Sequence, residues 1–373
     1  MERKQKDQIL RDLKRKMVFI TGPRQVGKTW LAKDISQSFS NSLYLTYDRS
    51  EDRKIMEAEA WLGDIDLLVL DELHKMPQWK NYLKGIYDTK PEKLSILVTG
   101  SARLETFRQS GDSLAGRFFR HRLMPFTPSE VSHLLITNDL DRFMTRGGFP
   151  EPFLMDETQD ADRWRLQYID GLIRDDILDF EKIHDFKAIQ LVFDLLRKRV
   201  GSPISFTSIA RDVGISPNTV KKYIQVFESL FIIFRIAPYS RNIARSILKE
   251  PKIYFYDTGL VDTDAGIKYE NMVAVSLLKY VYGMEDYEGK SCQLHYLRTK
   301  DGKEVNFCVA QNDIPQFMIE TKYSDRSLSK SIIQFHQKYQ IPGIQLLRFL
   351  KREKREQNIE VRQASKYLSC LEY

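Results

Sequence analysis

The segment Gly22, Pro23, Arg24, Gln25, Val26, Gly27, Lys28, Thr29 sets two glycines, a lysine and a hydroxyl in the spacing G-x-x-x-x-G-K-[ST]. Residues of these types at that spacing can grip a triphosphate. Backbone N–H groups of a tight turn make a concave nest for anions, Gly27 lets the chain come close to the phosphates, and Lys28 adds a point charge for the β and γ groups. The Thr29 hydroxyl suits the Mg²⁺ that accompanies ATP. With average residue frequencies, the pattern arises by chance in a chain this long on the order of one time in a hundred.

Hydrolysis also needs carboxylates, and Asp71 and Glu72 close the apolar run Asp66 to Leu70. Asp71 would hold Mg²⁺ through its water shell, while Glu72 would orient and deprotonate the attacking water. Thr99 and Ser101 end the run ILVTGS and would stand between the γ-phosphate and Glu72 if that strand neighbours the acidic one. Ser101 would there sense the phosphate or, equally, cap the following helix. Arg117, in LAGR, precedes the last strand of the region, where a guanidinium can serve a neighbouring subunit as an arginine finger or simply pair on the surface.

These residues need a sheet to hold them. Between Met17 and about Pro125, short apolar runs alternate with helical stretches, the mark of a parallel sheet flanked by helices. The runs are Met17 to Thr21, Leu43 to Tyr47, Asp66 to Leu70, Ile96 to Thr99 and Arg120 to Met124, with a helix over Trp30 to Ser36 after the glycine loop. From about 130 to 200 the periodicity is helical, broken at Gly147, Gly148, Phe149 and Pro150. Phe206 to Val213 reads as an amphipathic helix, Gly214 as a turn, and Ser216 with Pro217 as the start of a second helix. The second helix would expose Asn218, Thr219, Lys221 and Lys222, enough for DNA phosphates and some base edges, although such helices also serve purely structural ends. An apolar helix from about 267 and alternating strands follow.

The 373 residues exceed what one core usually organises, so two or three domains are expected. The apolar share of 42% and the charged share of 29% exclude a disordered chain. A net charge of +7 favours an anionic partner and permits nucleic acid. Basic residues are densest in the N-terminal arm (Lys14, Arg15, Lys16 among them) and in a late helix with Lys351, Arg352, Lys354 and Arg355; solvated faces are the plain reading of both. Cys292, Cys308 and Cys370 lack paired spacing, so neither a disulfide framework nor a zinc site is expected. The N-terminus is charged, and the longest apolar run, Phe227 to Ile236, is too short for a bilayer; a cytoplasmic protein with no membrane partner is expected.

Taken together, GPRQVGKT, LLVLDELHKM, LVTGSARLE, LAGR, GGFPE, ISPNTVKKYI, KIYFYDTGL, EVNF and IETKYS resemble a known family over nearly the whole chain. It comprises bacterial and archaeal AAA-type ATPases with a C-terminal, restriction-endonuclease-like domain of uncharacterised function. The resemblance implies an α/β fold class: a P-loop parallel-sheet ATPase core (1–128), a helical lid or linker (129–200), a winged-helix segment (201–262) and a degenerate α/β nuclease-like domain (263–373). In the last of these it puts Glu270 on a helix and Glu320 and Lys322 on a strand as E-x-K. Asn306 stands where that site needs Asp, and a neutral amide deprives a hard cation of a charge it requires unless Glu304 or another nearby carboxylate substitutes.

The leading reading is therefore an ATP-hydrolysing switch or motor, with DNA and a homo-oligomer as permitted partners. An ATP-licensed nuclease and a slow-turnover signalling or assembly scaffold compete with it. A small-molecule kinase is disfavoured, because phosphotransfer to a hydroxyl has no need of Glu72.

Overall fold

The computed structural model describes residues 3–61, 64–100, 114–131, 140–172, 185–240, 250–324 and 327–372. Ser101 lies outside them. The chain divides into two compact units, Met1–Met124 with Ser229–Phe231, and Pro125–Glu228 with Ile232–Tyr373.

The first unit contains α1 (Lys6–Leu13), β1 (Met17–Thr21), α2 (Lys28–Ser36), β2 (Ser42–Thr46), α3 (Ser50–Glu57), β3 (Leu67–Asp71), α4 (Trp79–Thr89), β4 (Ser95–Thr99) and β5 (Phe118–Arg122). Its five strands lie in the order β2-β3-β4-β1-β5, and every pairing is parallel. Parallel strands are covered on both faces by their crossover helices, which is why β1 and β3 are apolar and buried throughout. The strands match the apolar runs with shifts of one or two residues. One shift matters: Asp71 is the last residue of β3 rather than the first residue after it. Because β4 stands between β1 and β3, the glycine loop and the acid pair flank the carboxyl end of β4, the crevice where ligands of open α/β sheets sit.

The second unit begins with α5 (Pro128–Val131), α6 (Leu140–Arg146), α7 (Pro150–Leu154), α8 (Thr158–Gly171), α9 (Phe186–Arg197), α10 (Phe206–Val213) and α11 (Pro217–Ser229). The expected turn between α10 and α11 is present. Gly214 closes α10 at φ 80°, and Ser216 Oγ accepts the Thr219 N–H at 3.0 Å, capping α11 with Pro217 first in the helix. The two-stranded antiparallel pair β6 (Ile233–Ile236) and β7 (Lys252–Phe255) follows, then the long α12 (Ala265–Glu288).

The Gly147-Gly148 break has a packing cause. Gly147 has φ 72°, and a Cβ there would lie 1.6 Å from Asp257 Oδ1. Asp257 is itself buried, accepting the Gly259 N–H at 3.0 Å and pairing with Arg165 Nε at 3.4 Å. Burial pushes its carboxyl above the usual range, and the guanidinium pulls it back.

A six-stranded sheet ends the chain, ordered β12-β13-β11-β10-β9-β8. Its members are β8 (Cys292–Arg298), β9 (Glu304–Gln311), β10 (Ile314–Lys322), β11 (Gly343–Leu347), β12 (Lys354–Glu356) and β13 (Ile359–Gln363), with α13 (Lys330–Tyr339) and α14 (Ala364–Ser369). The late basic helix expected around Lys351 to Arg355 is corrected here. Lys351 and Arg352 lie in a bend, and Lys354 and Arg355 belong to β12, which pairs antiparallel with β13. Gln357 and Asn358 both have positive φ, 48° and 62°, so a two-residue primed turn closes the hairpin. The charged run looked helical, but the Gln-Asn turn decided the conformation.

Candidate nucleotide site and a second polar cluster

Gly22 opens the loop at φ 144°, and a Cβ on it would stand 2.2 Å from the Leu123 carbonyl oxygen, so only glycine fits at this end of β1. Gln25 and Gly27 are left-handed as well, at φ 61° and 99°, which turns the chain sharply into α2. Val26 is fully buried and anchors the loop from below. Lys28 is only 7% exposed, and its ammonium donates to the Gly22 carbonyl at 3.1 Å and the Pro23 carbonyl at 2.6 Å. The loop's own carbonyls thus hold the lysine beside the concavity.

Asp71 gathers hydroxyls from three elements. Thr29 Oγ1 donates to its Oδ2 at 3.1 Å, Tyr44 OH donates to the same oxygen, and Thr99 Oγ1 donates to Oδ1, which also accepts the Glu72 N–H at 3.1 Å. Parallel register brings this about, since Asp71 lies opposite Thr46 on one side and Thr99 on the other. The strand bearing Thr99 does neighbour the acidic strand, but the hydroxyl serves Asp71. The sequence reading missed Tyr44, because no motif marks a tyrosine two residues before a strand end.

Glu72 adopts a left-handed conformation, φ 54°, and its N–H donates to the Thr99 carbonyl at 3.0 Å. That rare backbone state turns its side chain away from the strand direction. Its Oε2 lies 3.5 Å from His74 Nε2 and 3.6 Å from Lys75 Nζ. Burial raises the Glu72 carboxyl above the ordinary glutamate value, while the charges of Lys28 and Lys75 pull it down.

Arg117 does not join this site. Its backbone carbonyl accepts the N–H of Met17, the first residue of β1, and five strand residues separate it from Gly22, about 16 Å at roughly 3.3 Å per residue. The guanidinium is bidentate to Asp88 on α4, with Nε 2.9 Å from Oδ1 and an Nη 3.1 Å from Oδ2. Its position at the strand starts keeps it away from the nucleotide loop of its own chain, and of the two expected readings of Arg117 the salt-bridged one is what the fold displays. Arg3 belongs to the basic N-terminal arm expected to be a solvated face, yet it is 3% exposed and donates to the Val26 carbonyl at 2.5 Å and the Met124 carbonyl at 3.2 Å, bracing the loop.

In the second unit, Glu270, Asn306, Glu320 and Lys322 do come together. Asn306 Nδ2 donates to Glu270 Oε2 at 2.9 Å, and its N–H to Glu320 Oε2 at 3.3 Å. Asn306 Oδ1 accepts the Thr321 N–H at 2.9 Å, and Lys322 Nζ lies 3.5 Å from Glu320 Oε1. Lys252 on β7, which the sequence reading did not single out, is 1% exposed; its ammonium stands 3.6 Å from Glu270 Oε1 and 2.5 Å from Glu304 Oε1. Tyr254 OH donates to Glu270 Oε1 at 2.7 Å. Glu304, the carboxylate named as a substitute for the missing charge at Asn306, is thus already paired with an internal cation. Asn218, Lys221 and Lys222 are exposed on α11, while Thr219 is half-buried beside Ser216.

Comparison with known proteins places the first unit. Residues 14–132 match the model of a family described as an AAA domain, and residues 137–271 and 265–369 match two families each described as a domain of unknown function. An uncharacterized protein of Mycobacterium tuberculosis is 23% identical over 85% of this chain and 72% of its own length. An uncharacterized protein of Haemophilus influenzae is 22% identical over 88% of this chain and 92% of its own. Among solved structures, a Walker-type ATPase of Pyrococcus abyssi aligns over 70% of this chain and 94% of that one, at 15% identity and a TM-score of 0.47. The AAA-domain match over residues 14–132 coincides with the parallel α/β core that bears the glycine loop, and a sheet-rich C-terminal region follows. No helix among the described residues is long and apolar enough to cross a membrane.

Proposed function

We propose that the chain is a Mg²⁺-dependent ATP hydrolase whose nucleotide state drives a switch or motor. The observation that carries this reading is the convergence of Lys28, Thr29, Asp71 and Glu72 at the carboxyl ends of β1 and β3. The residues present fit a magnesium nucleotide. Thr29 and Asp71 bring two hard oxygen ligands together beside an amide nest, and Lys28 can exchange two backbone carbonyls for phosphate oxygens. Bound Mg²⁺ would supply neutralisation of the developing phosphate charge. Asp71, steadied by the hydroxyls of Tyr44 and Thr99, keeps its carboxylate aimed at Thr29. Glu72 holds the attacking water and takes its proton.

Removing the lysine tests the reading. Lys28→Ala is expected to weaken binding of labelled ATP at least about 100-fold, the loss of two charge-assisted hydrogen bonds at roughly 1.5 kcal/mol each. Equal uptake by variant and parent would sink it.

Residues 201–262 are read as a winged-helix element, with α10 and α11 as the helix pair and β6 with β7 as the wing. Asn218, Lys221 and Lys222 are its candidate DNA contacts. The C-terminal sheet is read as nuclease-like but degenerate. Asn306 replaces a needed charge, and Lys252 lies where it competes with any metal for Glu270 and Glu304. Plasmid DNA is accordingly expected to survive incubation with the protein, Mg²⁺ and ATP; metal-dependent cleavage abolished by Glu320→Gln would restore the nuclease reading.

A further inference from the structure

A cavity of about 320 Å³ opens in the first unit at the edge of the sheet where the strands begin. Met17 and Ser95, the first residues of the neighbouring strands β1 and β4, form part of its wall. Its charged lining is lopsided, with Lys14, Arg15, Lys16, Lys90 and Lys93 against Glu92 alone. Three of the cations come from the link between α1 and β1, and two from the turn between α4 and β4. The sheet's length, about 16 Å at roughly 3.3 Å per residue, separates this place from the phosphate loop at the other ends of the strands.

Clustered cations repel one another, and carboxylates usually disperse them. Here Lys93 does meet a carboxylate, Asp64, at 2.7 Å. The other fixed cations rest on groups without net charge. The Lys90 ammonium donates to the Leu94 carbonyl at 2.7 Å, while the Arg15 guanidinium and Lys16 ammonium lie 5.5 and 4.9 Å from the Phe119 ring centroid. A carbonyl and a ring orient these side chains, and although Glu92 offsets part of the Lys90 charge and Asp12 part of that of Arg15, the five cations of the lining still outnumber its one carboxylate. A concave group of cations, four of them resting on a carbonyl, a ring or a carboxylate and Lys14 exposed beside them, suits the multiple oxygens of a phosphate.

We propose that this cavity is a second anion site, taking phosphate groups at the face of the domain opposite the nucleotide loop. The phosphates could be supplied by a nucleic-acid backbone or by a free polyphosphate, and two probes separate those sources. Both are applied to full-length Lys28→Ala protein, in which the nucleotide loop no longer competes. A fluorescent 20-mer is titrated by anisotropy as duplex and as single strand, and inorganic tripolyphosphate by calorimetry.

Adding Lys14→Glu and Arg15→Glu is expected to weaken at least one probe about tenfold or more. For duplex DNA it should flatten the salt dependence of log affinity by roughly 1.8, two contacts at about 0.9 each. Restored to the Lys28 background, the same pair should bind ATP as the parent does, which keeps this outcome distinct from failure of the nucleotide site. If the reversals prevent folding, Lys14→Gln with Lys16→Gln is used, with an expected loss of several-fold. Loss with the oligonucleotide alone assigns a nucleic-acid backbone, and loss with tripolyphosphate assigns a free polyphosphate. The proposal fails if the parent binds neither probe saturably, or if the variants bind both unchanged. It also fails if Lys351→Glu with Arg352→Glu causes an equal loss, since net charge would then suffice.

Discussion

Glu72→Gln is expected to slow ATP turnover by roughly 10²- to 10⁴-fold while leaving ATP affinity within about twofold of the parent, the loss typical of a removed general base. The amide keeps the size and hydrogen-bonding reach of the carboxylate but cannot take a proton from water. Its surroundings sharpen the expectation. The residue is held left-handed by the bond from its N–H to Thr99, so the substitution has little freedom to relocate the side chain. Burial raises the carboxyl, and Lys28 and Lys75 oppose that rise. A base works only when ionised, so turnover should fall as pH drops through this raised pKa, giving an acid limb above the ordinary glutamate range. The residual turnover of Glu72→Gln should lack that limb. Steady-state kcat against pH checks both statements, and parental turnover in the variant would remove Glu72 from the chemistry.

The second large effect concerns stability. Glu130 and Lys279, 1% and 3% exposed, form an ion pair between α5 and α12. Removing one partner strands a charge in a low dielectric, so Lys279→Met is expected to destabilise the second unit by about 3–5 kcal/mol. The double variant Glu130→Gln, Lys279→Met should recover most of that loss, because a buried pair replaced on both sides leaves no orphaned charge. Urea transitions followed by limited proteolysis within residues 125–372 would measure it. A single variant as stable as the parent would show that water reaches Glu130.

The pair also bears on where the domains part. The AAA-domain match extends to residue 132, yet the compact second unit starts at Pro125, and Glu130 is buried inside that unit. The loss of strand signal after Pro125 and Pro128 puts the expected boundary at 128. That signal has no means of showing that the short helix α5 carries a buried carboxylate, because burial of Glu130 depends on a lysine about 150 positions later in the chain.

Local signals are legible where the structure they specify is local. The loop Gly22 to Thr29, the acid pair after an apolar run and the Ser216-Pro217 helix start each sit within a few consecutive residues, so residue type and spacing were enough. The basic run near Lys354 misled, since charge periodicity on so short a stretch does not distinguish a helix from a hairpin strand.

The sequence by itself determined the phosphate loop, the parallel α/β character of the first unit and the identities of its two acids, because covalent neighbours impose these through turn geometry and apolar periodicity. Only the tertiary structure decided that Tyr44 and Thr99 clasp Asp71, that Arg117 faces the wrong end of the sheet, and that Lys252 sits among the C-terminal carboxylates. Each of these joins residues from separate strands. Strand order and register set such meetings, and no short stretch of chain encodes either.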